Sequence, residues 1–107
     1  MENQYYYIYI IESQNGNYYT GYTNDLKKRY EKHISGKGAK FTRAFKPKKI
    51  VRAWKIFETR GNAMKVEALI KKQDRATKEE LVKKPRLLSK IIKENLGVKL
   101  NIKTHKL

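Results

Sequence analysis

One carboxylate near the middle of the chain occupies an unusual place on its predicted helix. At 100° per residue, the helix expected over about residues 62–76 turns Ala63, Val66 and Ile70 to one face. Glu67 lies about 40° from Ala63 and faces the same apolar side. A carboxylate directed at a core is costly unless it forms an ion pair or holds a metal ion. The sequence therefore leaves two roles open for Glu67, an ion pair with a nearby Lys or Arg, and metal ligation.

An arginine and a histidine are neighbours on the first predicted helix. Arg29 and His33 stand four residues apart, so their side chains lie together on one flank of that helix. The apolar stripe of the helix is formed by Leu26, Tyr30 and Ile34. A guanidinium beside an imidazole suits a phosphate, because Arg neutralises charge and His accepts or relays a proton. The alternative is a solvated helix edge without chemistry.

Tyrosines are concentrated in the first predicted hairpin. Side chains alternate along a strand, so Tyr7, Tyr9 and Ile11 share one face, as do Tyr19 and Gly21 on the return strand. A tyrosine cluster on a small sheet usually serves core and rim packing. The chain has eight tyrosines against three phenylalanines, which indicates that some hydroxyls are needed as well.

These side chains need a scaffold, and periodicity predicts one. Aromatic and β-branched residues at 5–11 and 18–22 flank an Asn-Gly turn and predict a β-hairpin. The first helix follows it and ends at Gly36 and Gly38. The later elements are a strand over 50–57, a helix over about 62–76, a short helix over 77–84 capped by Thr77, and a helix over about 86–95.

The order of these elements predicts the fold class. A β-β-α-β-α-α-α sequence favours an α+β domain, a small three-stranded antiparallel sheet flanked by helices. We expect residues 1–97 to form a single domain. Residues 98–107 would be a tail that is either disordered or an edge strand.

The charge of the chain indicates its class of partner. Lys and Arg number 26 against 10 Asp and Glu, a formal net charge of +16. Such an excess costs stability through self-repulsion, and a polyanion explains it better than an anionic membrane or a merely solvated surface. We expect contacts with nucleic-acid phosphates that do not depend on base sequence. The candidate phosphate-binding residues are Lys27, Lys28, Lys37, Lys40, Arg43 and Lys46.

Other classes are excluded by what the chain lacks. The longest apolar run, residues 5–11, is far shorter than the roughly 20 residues of a membrane span, so no membrane association is predicted. The N-terminus has no basic segment of the kind that opens a secretory signal. Cysteine is absent, which rules out disulfides and thiolate zinc sites. We expect a cytoplasmic protein, with association with the nucleoid as a further option.

The motifs, taken in order, resemble a known family. Tyr7-Ile8-Tyr9, a short hairpin, Tyr19-Thr20-Gly21, then Arg29 with His33 and a later helical Glu67 resemble the GIY-YIG nuclease domain over roughly residues 5–80. The segment Gly36-Lys37-Gly38-Ala39-Lys40 is similar to its YhbQ-like group of uncharacterised single-domain members.

The resemblance implies specific roles. Family members cleave phosphodiester bonds with one divalent ion, Mg²⁺ or Mn²⁺, held by the helical glutamate, here Glu67. Tyr9 would lie near the attacking water, and the general base is left open between Tyr9 and His33. Tyr19 and His33 would assist by hydrogen bonding or proton relay, and Arg29 would stabilise charge on the phosphorus centre. Nearby cations are expected to favour the Tyr9 phenolate.

Some features depart from the family pattern. Tyr7 replaces the first glycine of the motif and Thr20 replaces an apolar residue. The family often has a further polar residue after the glutamate helix, and here Asp74 is too near and Asn95 too far along the chain.

Two functions follow from these observations. The first is a metal-dependent endonuclease acting on DNA. Its candidate substrates are branched, damaged or single-stranded structures, and its candidate role is in repair. The second is a module that binds DNA or RNA with the nuclease fold and cuts poorly or not at all. A protein partner would supply the targeting that a chain of this length has little room to encode.

Overall fold

A four-stranded antiparallel sheet organises the computed structural model, which describes residues 4–37 and 44–107. The strands are β1 (Tyr6–Ser13), β2 (Tyr18–Thr23), β3 (Pro47–Ile56) and β4 (Ile102–Thr104), in the spatial order β2-β1-β3-β4. The α+β class is therefore confirmed, but the prediction of three strands was wrong. The fourth strand is only three residues long, too short for an alternating pattern to identify it from sequence.

The hairpin that positions the tyrosines turns at Gly16. This residue has φ +85°, a left-handed conformation that glycine adopts without steric cost. Backbone bonds from Ser13 N to Asn17 O (2.8 Å) and from Gly16 N to Ser13 O (2.9 Å) close the turn. β1 then lies between β2 and β3, so Tyr9 is in the middle of the sheet.

Four helices complete the described fold, and local caps set where they begin. They are α1 (Leu26–Ile34), α2 (Arg60–Lys72), α3 (Arg75–Lys83) and α4 (Leu87–Leu96). The Thr77 cap was a wrong prediction, because Asp74 caps α3 by accepting a hydrogen bond from Thr77 N at 2.8 Å. This cap also ends α2 earlier than predicted, with Gln73 in an extended conformation.

The helices cover the two faces of the sheet unequally. The larger core, on the face of Ile8 and Trp54, takes in residues of α2, α3 and α4. The smaller core on the opposite face consists of Tyr9, Ile11 and Ala53, with Leu26 and Tyr30 of α1 packed against it. The helices of the described residues are all too short or too polar to cross a bilayer.

Candidate active site

Four of the five residues predicted to be catalytic line one groove. Tyr9, Tyr19, Arg29 and Glu67 border a cavity of about 510 Å³ at the β2 edge of the sheet. Tyr9 and Tyr19 come from the hairpin, Arg29 from α1 and Glu67 from α2. The groove is thus assembled from elements that pack on opposite faces of the sheet. Its other lining residues are Tyr22, Thr23, Asn24, Asp25, Lys28, Lys32 and Arg60.

The fifth predicted residue, His33, lies behind Tyr9 and not in the groove. The Tyr9 hydroxyl is 3.0 Å from His33 Nε2, and both residues are buried. The rings of Tyr19 and His33 also meet edge to face, with centroids 5.2 Å apart. The predicted stripe on α1 was partly wrong, because Ile34 is 53% exposed while His33 is fully buried. The hydrogen bond with Tyr9 compensates the imidazole for losing water.

Gly21 makes room for Tyr9, a role that the sequence did not reveal. Gly21 pairs with Tyr9 across the hairpin. A Cβ atom at position 21 would lie 2.5 Å from the Tyr9 hydroxyl oxygen and 2.6 Å from its Cζ atom. No real Cβ contact is so short, so the Tyr9 ring can rest against β2 only because this residue has no side chain. A glycine inside a predicted strand is the available sequence signal for such a close approach.

The environment of Tyr9 favours the neutral phenol. Burial raises its pKa to about 12, while the hydrogen bond and the charge of Arg29 lower it and the neighbouring Tyr19 and Glu67 raise it further. Arg29 lowers the pKa of Tyr9, as expected of a nearby cation, but in the protein alone the effect of burial is larger. The same hydrogen bond with Tyr9 is the main reason that the pKa of Arg29 lies above its usual range.

His33 is neutral at physiological pH. Burial, with a smaller contribution from the positive charge of Arg29, lowers its pKa to about 4. A neutral imidazole offers one nitrogen as an acceptor. With Nε2 in that role, the Tyr9 O–H donates to it, while the phenol oxygen accepts from Arg29 with one lone pair and has the other for the groove.

Glu67 makes the ion pair that the sequence left open. Its Oε1 atom is 3.1 Å from Lys71 Nζ, one turn further along α2. The Glu67 side chain is 20% exposed, so it lies at the edge of the core and not inside it. Its carboxylate remains accessible from the groove, where it is available to a cation as well as to Lys71.

Basic residues line the groove, but only some of them are among the six candidate phosphate-binding residues predicted from the sequence. Of those, Lys28 lines it, while Lys27, Lys37 and Lys46 are exposed elsewhere. Lys40 and Arg43 fall outside the described residues. Two cations that the sequence did not single out, Lys32 and Arg60, complete the walls. Arg60 also donates from Nε to the Tyr22 hydroxyl at 3.2 Å.

The donor set fits one hard cation. Within residues 4–37 and 44–107, no three His, Cys, Asp or Glu side chains cluster as a metal site would require of the protein alone. Mg²⁺ commonly takes only one or two carboxylates and completes its shell with water and phosphate oxygens. Asp25, the other carboxylate of the groove, is engaged as the cap of α1. Glu67 alone is therefore compatible with a single divalent ion bound together with a phosphate substrate.

The two polar residues considered after the glutamate helix do not join the groove. Asp74 caps α3, and its hydrogen bonds with Thr77 hold its pKa below the usual range. Asn95 donates from its amide to the Ile91 carbonyl at 2.9 Å. The amide side chain that does line the groove is Asn24, from the turn before α1.

Comparison with known proteins places this geometry in a family context. Residues 5–80 match the model of the GIY-YIG catalytic domain. The UPF0213 protein BH0048 of Halalkalibacterium halodurans is 46% identical over 76 residues, which cover 71% of this chain and 80% of that protein. A UPF0213 protein of Streptococcus pneumoniae is 43% identical over 94 residues, covering 86% and 94% of the two chains.

A solved structure shares the fold. The solution NMR structure of the protein EF2693 from E. faecalis is 41% identical and superposes with a TM-score of 0.54. The match covers 81% of this chain and 93% of the other.

Proposed function

This chain belongs to the GIY-YIG catalytic domain family, and on that basis we propose that it is a metal-dependent endonuclease that hydrolyses phosphodiester bonds in DNA. The observation that carries the proposal is the groove itself. Tyr9, Tyr19, Arg29 and Glu67 face one space between basic walls, at a scale that admits a sugar-phosphate segment. Each side chain has a role in phosphodiester hydrolysis.

Glu67 would hold one Mg²⁺ or Mn²⁺ ion. Of the two carboxylates in the described lining, Glu67 is the one that does not cap a helix, and its Lys71 partner is itself half exposed and able to move aside. The bound ion would act as a Lewis acid on the phosphate and lower the pKa of a water molecule.

Tyr9 and His33 would move the proton of the attacking water as a pair. With a pKa of about 12, on the order of one Tyr9 in 100,000 is ionised at pH 7, too few for a phenolate base on its own. His33 is fully buried and does not border the groove, so it reaches a water molecule only through Tyr9. A proton accepted by the Tyr9 oxygen can be matched by transfer of the Tyr9 proton to His33 Nε2, along the 3.0 Å hydrogen bond.

Arg29 would stabilise the charge that accumulates on the phosphate oxygens. It is within hydrogen-bonding reach of Tyr9 and Tyr19, which fix the direction of its guanidinium. A cation that is already oriented needs no reorganisation as charge develops, and such electrostatic groups usually provide the largest contribution to catalysis.

The test is a cleavage assay in Mg²⁺ or Mn²⁺ on duplex, flap, junction and single-stranded DNA, with matching RNA substrates. We expect Glu67→Gln and Arg29→Ala to lose about a hundredfold or more in rate, and Tyr9→Phe to lose a similar factor. Glu79→Gln is the matched control, because Glu79 forms an equivalent pair with Arg75 (3.0 Å) one turn apart on α3, outside the groove.

One outcome would reject the endonuclease, and a second would reject only the role given to Glu67. If no substrate is cut by the wild type, while nucleic acid is still bound, the alternative of a non-catalytic DNA- or RNA-binding module is favoured. The Glu67–Lys71 ion pair is the observation that supports this alternative, since it satisfies the carboxylate without a metal. If Glu67→Gln cuts as well as Glu79→Gln, the assigned metal ligand is wrong.

A further inference from the structure

A row of side chains leads from the groove across the sheet to its opposite edge. Thr23, which lines the groove, pairs with Tyr7, which pairs with Lys55, which pairs with Lys103. Directly paired residues project from the same face, so this row lies on the face of Tyr9. At about 4.8 Å per strand, it spans about 14 Å.

Aromatic rings surround the lysines of this row. Lys55 Nζ is 4.2 Å from the ring centroid of Tyr5, 5.8 Å from that of Tyr7 and 5.2 Å from that of Phe57. Lys103 Nζ is 5.9 Å from the Phe57 ring. His105 completes the set with an edge-to-face contact to Tyr7 at 4.9 Å.

Within residues 4–37 and 44–107, the core on the Tyr9 face does not include the row. The partly buried side chains packed against Tyr9, Ile11 and Ala53 are Tyr19, Leu26, Tyr30 and Ile50. Tyr5 is 39% exposed and Lys103 is also exposed. Among the ion pairs that the described residues form, none involves Lys55 or Lys103. The row thus combines one exposed ring, Tyr5, and two half-buried rings, Tyr7 and Phe57, with ammonium groups that have no carboxylate within 4 Å in the described part of the chain.

We propose that Tyr5, Tyr7, Lys55, Phe57 and Lys103 form a track that binds an unpaired nucleic-acid strand as it leaves the groove. Rings that stack on bases, interleaved with cations that contact phosphates, bind single strands without regard to sequence. A duplex offers its phosphates but not its base faces, so the rings would favour unpaired segments. The proposal rests on the endonuclease proposal only for the position of the scissile bond.

The proposed track would also give the C-terminal segment a role in binding the substrate. Lys103 and His105 lie beyond residues 5–80, which match the catalytic-domain model. β4 places them beside Lys55 through its pairing with β3, and His105 N donates to the Ala53 carbonyl at 2.9 Å. Substrate contacts would therefore be supplied by a strand outside the catalytic segment.

The experiment is equilibrium binding, measured by fluorescence anisotropy in EDTA so that cleavage plays no part. The probes are a labelled oligothymidylate of about 12 nucleotides and a blunt duplex of equal length. Tyr5→Leu tests stacking, and the double variant Lys55→Gln, Lys103→Gln tests phosphate contact. The matched control is Lys90→Gln with Lys93→Gln, two exposed lysines of α4, which packs on the other face of the sheet.

We expect Tyr5→Leu to weaken binding of the single strand by about fivefold to a hundredfold, with the duplex little changed. The Lys55 and Lys103 double variant should reduce the slope of log affinity against log salt by about 1.4 for the single strand, and the control should leave it unchanged. Lys103→Gln alone, on the exposed edge strand, keeps the test usable if the double variant unfolds.

The track is rejected if Tyr5→Leu and Lys103→Gln bind the oligothymidylate like the α4 control. It is also rejected if every loss applies equally to the duplex, since general charge would then explain the binding. Failure of the endonuclease proposal is a separate result, because it requires the absence of cleavage in Mg²⁺ or Mn²⁺, whatever the track variants do in EDTA.

Discussion

The missing side chain of Gly21 is what allows the Tyr9 hydroxyl to lie against β2. Gly21→Ala would force Tyr9 to move, since the added Cβ would lie 2.5 Å from the hydroxyl oxygen. We expect a stability loss of about 1–3 kcal/mol from overpacking, and about a hundredfold loss of cleavage as the Tyr9–His33 geometry is displaced. Urea denaturation and the cleavage assay measure the two effects.

Gly61→Ala is the control for this substitution. A Cβ at position 61 would meet only Thr59 Oγ1 at 3.8 Å, an ordinary contact, and alanine suits the first turn of α2. Equal activity of the Gly21→Ala and Gly61→Ala proteins would show that Tyr9 need not occupy its observed position.

The buried His33 should make the stability of the protein depend on pH. Its pKa is about 4 in the folded protein against 6.5 in an unfolded chain, so the unfolded state binds a proton first as the pH falls. The stabilisation is therefore complete above pH 6.5 and is lost as the pH falls towards 4. A shift of this size corresponds to about 3–4 kcal/mol.

Urea denaturation of the wild type and of His33→Gln at pH 7 and pH 5 measures this effect. We expect the wild type to lose more stability than the variant over this interval. His105→Gln, which removes the other histidine, is the matched control. A wild-type pH dependence in His33→Gln would assign the acid sensitivity to other groups.

At the scale of single residues, the sequence indicated which residues to consider for the site better than it indicated how deeply each one would be buried. Arg29, Glu67 and the hairpin tyrosines could be singled out because charge and helical geometry are visible in one dimension. The burial of His33 and the contact of Gly21 with Tyr9 could not be predicted, because they depend on how α1 packs on the sheet. The raised pKa of Tyr9 could not be predicted for the same reason, since burial is a property of the folded chain.

At the scale of the elements, the cap of α2 can be tested for its effect on stability, because this helix places Glu67 in the groove. Thr59 caps this helix, accepting a hydrogen bond from Asn62 N at 3.2 Å. We expect Thr59→Ala to lower the free energy of unfolding by about 1 kcal/mol. Cleavage should change little at temperatures where the protein stays folded, since Thr59 does not line the groove.

Thermal denaturation and the cleavage assay on the same preparations check this prediction. Thr104→Ala, which removes a threonine from the end of β4, is the comparison variant. If Thr59→Ala is as stable as the wild type, the hydrogen bond to Asn62 N does not determine where α2 begins.

The sequence predicted the type of most elements, and local hydrogen bonds decided their ends. Periodicity identified the hairpin, β3 and all four described helices. The boundary between α2 and α3 was misplaced because Asp74 and Thr77 are both good cap residues, and only the fold selects Asp74. β4 was left undecided because its pairing with β3 involves residues about 50 positions apart.

For the molecule as a whole, the net charge of +16 should appear in the salt dependence of binding. In the part of the groove lining that the structure describes, the four cations are Lys28, Arg29, Lys32 and Arg60. Four phosphate contacts predict a slope of about −3.6 for log affinity against log salt with duplex DNA. Lys28→Gln with Lys32→Gln should reduce its magnitude by about 1.8.

Anisotropy titrations over a series of salt concentrations in EDTA measure this slope. The Lys90→Gln, Lys93→Gln protein has the same net charge as the groove variant and should keep the wild-type slope. Equal slopes for both double variants would show that the net charge of the protein determines the salt dependence of binding and that the groove is not the binding site.

The groove is built from elements that pack on both faces of the sheet, so the proposed binding and the proposed cleavage would depend on different parts of the chain. Tyr9 and Arg29 depend on the smaller core, while Glu67 and Arg60 come from a helix buried in the larger one. In the proposed endonuclease, cleavage would therefore require both layers to be formed, because each supplies part of the set of reactive groups. Binding through exposed lysines would not have this requirement, so a substitution that loosens one layer should reduce cleavage more than it reduces binding.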